Sequence, residues 1–165
     1  MAGFKMSTVE LSTIDYEVAE AEGCLHSKNR KLLELWLAHR GEDGTASRDD
    51  LSPALLVPLL GGISVTEPVD GGKDFHFRLV GARNEERLGF KATGKLMSDC
   101  YGPRMAAELI ALHKRVLDSR KPAVLRGRFL GIGLEHALFE ALFLPVRNST
   151  GGLQVLAGMY DMSES

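Results

Sequence analysis

His113 is the histidine whose sequence setting best suits cofactor chemistry. It lies in the segment Arg104–Ser119, where apolar side chains recur at intervals of four and three residues: Met105, Leu109, Leu112 and Val116. This spacing predicts an amphipathic helix with its apolar stripe toward the core. His113 borders that stripe, so its ring could face a pocket and bind haem iron through a ring nitrogen. The other interpretation, which we expect, is a partly buried histidine held by a hydrogen bond.

A predicted hairpin carries four polar residues that could form an anion site or an interface: Arg126, Arg128, His136 and Glu140. Its strands are Ala123–Leu130 and Glu135–Pro145. A three-residue loop between them would place Arg128 opposite His136, and Arg126 diagonal to Glu140. Arginine can donate two bonds to one carboxylate or phosphate, so an anion could bind here. The alternative, which we favour, is a half-exposed sheet face with ordinary charge pairs.

The opposite face of this hairpin is apolar and predicts the wall of a core or of a pocket. Odd-numbered residues share this face, because side chains alternate along a strand. Some of them are small, and small residues facing a helix either leave room for a ligand or let the helix pack closely. We expect close packing. The residues that would line a ligand pocket are Phe77, Met105, Leu109, His113, Gly127, Phe129, Phe139 and Ala141.

No other motif predicts a catalytic or metal-binding centre. The five histidines have no metal-ligand spacing, and Cys24 is far from Cys100. No nucleophile stands beside a base in a local motif. The run Gly131-Ile132-Gly133 lacks the strand-to-helix setting of a nucleotide-binding loop. The sequence therefore predicts no metal site, identifies no cofactor and gives no motif for an enzyme.

Length and composition predict one soluble domain. The chain has 165 residues, of which 44% are hydrophobic and 25% charged, and its formal charge is 20 − 22 = −2. These values are typical of a globular domain with a single core. No apolar run approaches the roughly 20 residues of a membrane-spanning helix, and no dense basic run favours nucleic acid. Without a secretion signal at the N-terminus, we expect a reduced, cytoplasmic protein.

The elements that would position these residues follow from turn signals and periodicity. Residues 1–27 are acidic and lack a clear period, which predicts an N-terminal arm before a domain at residues 28–165. Two helices, Lys28–His39 and Arg104–Ser119, and three further strands complete the pattern. Those strands are Ile63–Glu67, Asp74–Val80 and Leu153–Asp161. Five antiparallel strands with helices on one side constitute an α+β fold.

Four apolar residues predict an interface with a second copy of the chain or with another protein: Leu32, Trp36, Leu138 and Leu142. Leu32 and Trp36 belong to the apolar face of the Lys28–His39 helix, which is too broad for a helix alone in water. Leu138 and Leu142 lie on the mixed face of the hairpin and require cover. A dimer partner could supply that cover, and so could the N-terminal helix itself.

An ordered set of segments resembles a family of small stand-alone bacterial PAS-like proteins. None of these segments is specific alone, but their order is, and the resemblance covers about residues 28–162. In chain order they are Leu35-Trp36, Arg40-Gly41, Arg48–Pro53, Asp74–Gly81, Arg87–Gly89, Thr93–Leu96, Phe139–Pro145 and Val155–Gly158.

The resemblance implies a PAS-like five-stranded antiparallel sheet, with short helices on one side and an N-terminal helix. It also implies a non-catalytic sensory or regulatory module, which binds a small ligand or a signalling-protein partner and signals through a homodimer or partner interface. The flavin-binding branch attaches its cofactor through an Asn-Cys-Arg-Phe run, which is absent here. His113 matches the position of the haem ligand in another branch, whose remaining pattern is missing. A haem or chromophore sensor using His113, or a small enzyme on the same fold, are the alternatives.

Overall fold

The computed structural model describes residues 13–164 of the chain. The strands are β1 (Asp15–Ala21), β2 (Ala46–Ser47), β3 (Ile63–Val69), β4 (Asp74–Val80), β5 (Ala123–Leu130), β6 (Phe139–Arg147) and β7 (Leu153–Asp161). The α-helices are α1 (Ser27–His39), α2 (Pro53–Leu56), α3 (Ala82–Leu88), α4 (Met97–Cys100) and α5 (Pro103–Ser119). Short 3₁₀ segments occupy Val57–Gly62, Asp70–Gly72 and Met162–Glu164.

The strands form one sheet in the order β1-β5-β6-β7-β3-β4, and each neighbouring pair in this order is antiparallel. The short strand β2 pairs in parallel with the end of β6. The α+β class and the antiparallel sheet are confirmed, and β1 and β2 add to the five predicted strands. Within residues 13–164, no helix combines the length and apolar character that crossing a membrane requires.

Strand β1 corrects the predicted N-terminal arm and the boundary at residue 28. Residues 1–12 of that arm lie outside the described residues, but Asp15–Ala21 is the edge strand of the sheet and pairs with β5. Its acidic side chains meet arginines from distant segments, including Arg128 Nε at 3.2 Å from Glu17 Oε1. A local pattern cannot reveal such partners, so the acidic composition predicted only an arm that is partly ordered at best or docked on a partner.

The β5–β6 hairpin has a longer loop than predicted. A three-residue loop would place Arg126 opposite Leu138, whereas in the structure it faces Glu140, two positions further along. His136 consequently lies in the loop and not opposite Arg128. Because the shift is an even number of residues, each side chain keeps its predicted face. Leu125, for example, still lies on the same face as Ala141, its direct partner.

The sheet separates two hydrophobic clusters. The inner cluster lies between the sheet and helices α3, α4 and α5, with Phe75 and Met105 almost fully buried. The outer cluster lies between the other face and helices α1 and α2. Side-chain alternation distributes each strand between the clusters: Ala141 and Phe143 of β6 belong to the inner one, whereas Leu142 belongs to the outer one.

Helix α1 covers the outer face, which corrects the predicted interface. Leu32, Trp36 and Leu142 are each 0% exposed, and Trp36 Nε1 donates to the Pro145 carbonyl oxygen at 2.9 Å. The cover that the broad apolar helix face required comes from the sheet of the same chain, so these three residues are unavailable to a partner. Leu138, the fourth predicted interface residue, is 53% exposed.

Candidate functional site

A cavity of about 70 Å³ lies between the inner face of the sheet and helix α5. Alternation along β4, β5 and β6 and the apolar stripe of α5 place side chains toward it. Seven of the eight residues predicted for a pocket line it: Phe77, Met105, Leu109, His113, Phe129, Phe139 and Ala141. Side chains fill most of the region between the sheet and α5, and the cavity is the small volume that they leave unfilled.

Gly127, the eighth predicted pocket residue, serves the sheet and does not line the cavity. A Cβ atom at this position would lie 2.0 Å from the Glu17 carbonyl oxygen and 2.7 Å from the Val18 Cα. Gly127 thus permits the close approach of β1, in accordance with the usual role of glycine inside a strand. The sequence analysis considered ligand space and close helix packing as reasons for its small size, whereas in the structure the space is taken by a neighbouring strand.

The cavity also contains lining residues that sequence analysis missed. Tyr16 comes from β1, which was predicted to be an arm, and Met97 and Tyr101 come from the broken segment before α5. Only tertiary packing brings these to the site. Ala157 and Met159 of β7 also line it, and the alternation of that strand could have identified them.

His113 is the central polar group of the cavity. Its Nδ1 lies 2.7 Å from the Leu109 carbonyl oxygen, and because a carbonyl only accepts, Nδ1 donates. The ring packs between Phe75 and Phe143, with centroid distances of 5.2 and 5.1 Å. Burial lowers the pKa of His113 to about 4, so the imidazole is neutral at pH 7. Nε2 then bears a lone pair, and none of residues 13–164 donates to it.

Four further polar side chains line the cavity, namely Tyr16, Ser64, Asn84 and Tyr101, and they differ in their availability. The Tyr16 hydroxyl donates to Glu108 Oε1 at 2.9 Å. Asn84 is already paired, since its Nδ2 donates to the Gly62 carbonyl at 3.0 Å and its Oδ1 accepts from Arg87 at 2.7 Å. The Tyr101 hydroxyl has no hydrogen-bond partner in the described part of the chain. Burial raises the pKa of Tyr101, so this phenol stays protonated and can donate. The cavity therefore offers an acceptor at His113 Nε2, a donor at Tyr101, and the Ser64 hydroxyl, which can donate or accept.

Haem does not fit this cavity. Nε2 of His113 has the lone pair that an iron ligand needs, but about 70 Å³ is far below the roughly 300–1,000 Å³ of sites for drug-sized ligands. The cavity volume equals the volume that about two water molecules occupy in liquid water. Any ligand accommodated without rearrangement is therefore small.

Covalent and metal chemistry find little support in the side chains around the cavity. Cys100 is buried beneath it, and desolvation raises the pKa of its thiol to about 11, which leaves the thiolate scarce at neutral pH. Residues 13–164 contain no group of three or more His, Cys, Asp or Glu side chains placed to hold a metal ion. The arrangement is suited to reversible binding of a small molecule.

The predicted anion site does not form, because its members have other partners. Glu140 is 0% exposed and accepts from Arg126 Nε at 2.8 Å and from the Leu25 and His26 amides at 2.7 and 3.1 Å. Burial raises the pKa of Glu140, but these donors outweigh it and hold the pKa below its ordinary value. Arg128 pairs with Glu17, and His136 is exposed in the loop. Arg126 and Glu140 thus form a structural ion pair, whereas Arg128 and His136 are two separate groups at the surface.

A comparison with family models matches residues 24–161 of the chain, and the matching model is described as a PAS domain. This span starts after strand β1, so it includes both layers of helices and every cavity-lining residue except Tyr16. No curated protein shows significant similarity to the chain.

Proposed function

The chain belongs to the PAS domain family, whose members are generally non-catalytic sensory modules, and we propose that it senses a small, largely apolar molecule bound in the cavity beneath its sheet. The observation that carries this proposal is the neutral His113 in an apolar enclosure, with Nε2 free to accept. His113 lines the cavity, so a ligand that supplies a donor could pair with Nε2, and one such hydrogen bond contributes about 0.5–1.5 kcal/mol.

The size and polarity of the cavity define the ligand class. About 70 Å³ suits a molecule of a few heavy atoms, with an apolar body and a hydroxyl or similar group. The hydroxyl would donate to His113 Nε2 and accept from Tyr101. Charged molecules are disfavoured, because the walls offer no charge of opposite sign to compensate their desolvation.

The proposed output is a shift in the arrangement of α5 and the sheet. His113 lies on α5, so a ligand bound to Nε2 would favour one position of that helix over another. Strands β6 and β7 line the cavity with Ala141 and Ala157, and helix α1 packs on the opposite face of these same strands. Leu37 of α1 is 49% exposed and would report the shift to a second copy of the chain or to another protein.

A cavity-filling substitution tests the ligand site. We expect propanol to shift backbone amide resonances of α5 and β6 saturably in the wild type. Ala141→Leu should abolish these shifts, and Ala107→Leu, a matched change at an exposed position of α5, should leave them intact. His113→Phe should weaken propanol binding about fivefold, the value of one hydrogen bond, but retain xenon binding. Equal propanol binding by wild type and Ala141→Leu would overturn the proposal.

A Leu37→Glu variant tests the output surface separately. Size-exclusion chromatography with light scattering gives the mass of the wild type and of the variant. A dimeric wild type that becomes monomeric in Leu37→Glu would support a homodimer through α1. A monomeric wild type would overturn that homodimer and leave another protein as the proposed partner of α1.

A further inference from the structure

The outer face of the sheet contains a groove of about 650 Å³, separate from the cavity on the inner face. It lies over strands β3, β4 and β7, beside the area that helix α1 covers. The segment that includes α2 forms one wall, and the turn at Asn148–Thr150 forms another. Its volume falls in the range of about 300–1,000 Å³ typical of small-molecule sites.

The floor of the groove is apolar and continues onto its rim. Ile63, Val65 and Leu156 form the floor, each 1–2% exposed. On the rim, Leu60 is 40% and Leu79 is 43% exposed. A molecule lying here would bury these two leucines, and burial of apolar area contributes about 25 cal/mol per Å².

A chain of hydrogen bonds crosses the groove and fixes its polar groups. Arg48 Nη1 donates to Gln154 Oε1 at 3.0 Å, and Gln154 Nε2 donates to Glu67 Oε2 at 2.6 Å. The other carboxylate oxygen of Glu67 lies 2.8 Å from His76 Nε2. Gln154 is 1% exposed, so it is a rigid link. The Glu67 carboxylate therefore has partners at both oxygens, while most of the five N–H donors of Arg48 are left for a ligand.

A β-bulge supplies a second cation. Val65 pairs with Leu79 and Thr66 with Phe77, so Arg78 is an extra residue in β4. A bulge redirects side chains locally, and here the consecutive residues Arg78 and Leu79 both line the groove. Within residues 13–164, Arg78 makes no direct ion pair and no hydrogen bond, although its charge helps to lower the pKa of the Glu67 carboxyl in the same groove. A guanidinium with unused N–H donors thus stands beside an exposed leucine.

We propose that this groove binds a small amphiphilic carboxylate, a molecule with an apolar chain and one carboxyl group. Arg78 and Arg48 would hold the carboxylate, because guanidinium groups pair with it bidentately, and the chain would lie on Leu60, Leu79 and the floor. Asp49 at the rim opposes ligands with several negative charges, such as nucleotides. The proposal is independent of the ligand proposed for the inner cavity.

Titration calorimetry with octanoate tests this site on the full chain. We expect saturable binding of octanoate, no binding of octylamine, and binding at least about tenfold weaker in Arg78→Gln, since a charge-assisted hydrogen bond contributes about 1.5–3 kcal/mol. Arg30→Gln is the matched control, since Arg30 is exposed on α1, away from the groove. It should bind octanoate like the wild type.

A second variant tests whether weaker octanoate binding by Arg78→Gln could be an indirect effect of removing the charge. Leu79→Asn alters the exposed rim and should also weaken octanoate binding, with an unchanged circular dichroism spectrum. Octanoate binding that survives Arg78→Gln and Leu79→Asn but is lost in Ala141→Leu would place the acid in the inner cavity and overturn the proposal. Absence of octanoate binding at millimolar concentration would overturn it as well, without bearing on propanol in the cavity.

Discussion

The two faces of the sheet treat polar groups in opposite ways. The inner face borders a cavity of about 70 Å³ that is lined by a neutral histidine and a protonated tyrosine. The outer groove has a volume of about 650 Å³ and includes two arginines and two carboxylates. Burial keeps the inner side chains uncharged, because an ionised group without water or a partner is costly. Access to water permits charge on the outer face, so the two faces are suited to different ligands.

The same strands build both environments. On β3, Ser64 faces the cavity while Ile63 and Val65 face the groove, and on β7 the alternation places Ala157 inside and Leu156 outside. One-residue steps along a strand therefore separate a neutral site from a charged one. Substitutions at neighbouring positions of one strand are expected to affect different faces.

The largest loss of stability is expected from a substitution that weakens the contact between helix α1 and the outer face of the sheet. Trp36→Ala should lower the free energy of unfolding by about 4 kcal/mol, the usual cost of truncating a buried aromatic side chain, since Trp36 is 0% exposed. Urea unfolding followed by circular dichroism measures this loss. Leu37→Ala, on the exposed side of the same helix, should change the value by less than about 0.5 kcal/mol. Similar small losses in both variants would mean that α1 does not hold the outer face.

A somewhat smaller loss should accompany enlargement of the inner cavity. Met105 is 2% exposed and lines the cavity, so Met105→Ala should cost about 3 kcal/mol in unfolding free energy. It should also widen the space enough to admit benzene, as large-to-small changes in apolar cores can do. Benzene is expected to raise the melting temperature of this variant and not that of the wild type. A wild type stabilised equally by benzene would contradict the small size of the cavity.

The third effect is a pH dependence to which His113 on the inner face should contribute, beside His26 on the outer side, whose pKa burial also lowers. The pKa of His113 falls from 6.5 to about 4 on folding, so below pH 6.5 the unfolded chain binds a proton that the folded protein refuses. Stability therefore falls as the pH decreases through this window, and the His113 contribution amounts to about 2 kcal/mol between pH 7.5 and pH 5. Urea unfolding at these two pH values should show a loss that His113→Leu reduces by this amount.

Leu112 provides the control for that pH effect. Leu112→Ala truncates a buried apolar residue of α5 and removes no titratable group, so it should leave the pH-dependent loss as it is in the wild type. An unchanged loss in His113→Leu would show that a group other than His113 titrates in this window.

Local alternation was sufficient to predict which residues meet at the inner cavity. The pattern around Phe139 and Ala141 defines a face whatever the exact pairing, since a shift by two residues preserves it. The stripe with Leu109 and His113 was predicted for the same reason, because helical periodicity is also local. These regular elements account for seven of the lining residues.

Features that depend on distant partners escaped prediction. Strand β1 can pair with β5 because Gly127 leaves room for it and because arginines form ion pairs with its acidic side chains. The residues close to β1 in sequence reveal neither contact. The Arg78 bulge and the chain through Gln154 also depend on strand pairing and on residues far apart in sequence. The cover of Trp36 was left open between a partner and the same chain, since an apolar face predicts burial but not by which surface.

The buried Glu140 has a consequence for how the protein opens. Its carboxylate joins β6, Arg126 of β5 and the amides that precede α1, and the Leu25 amide is 115 residues away in sequence. Detaching the start of α1 would leave this carboxylate without two of its hydrogen-bond donors, so the helix and strands β5 and β6 should unfold as one cooperative unit. In native-state hydrogen exchange, the backbone amides of α1 and β6 should accordingly exchange with the same opening free energy.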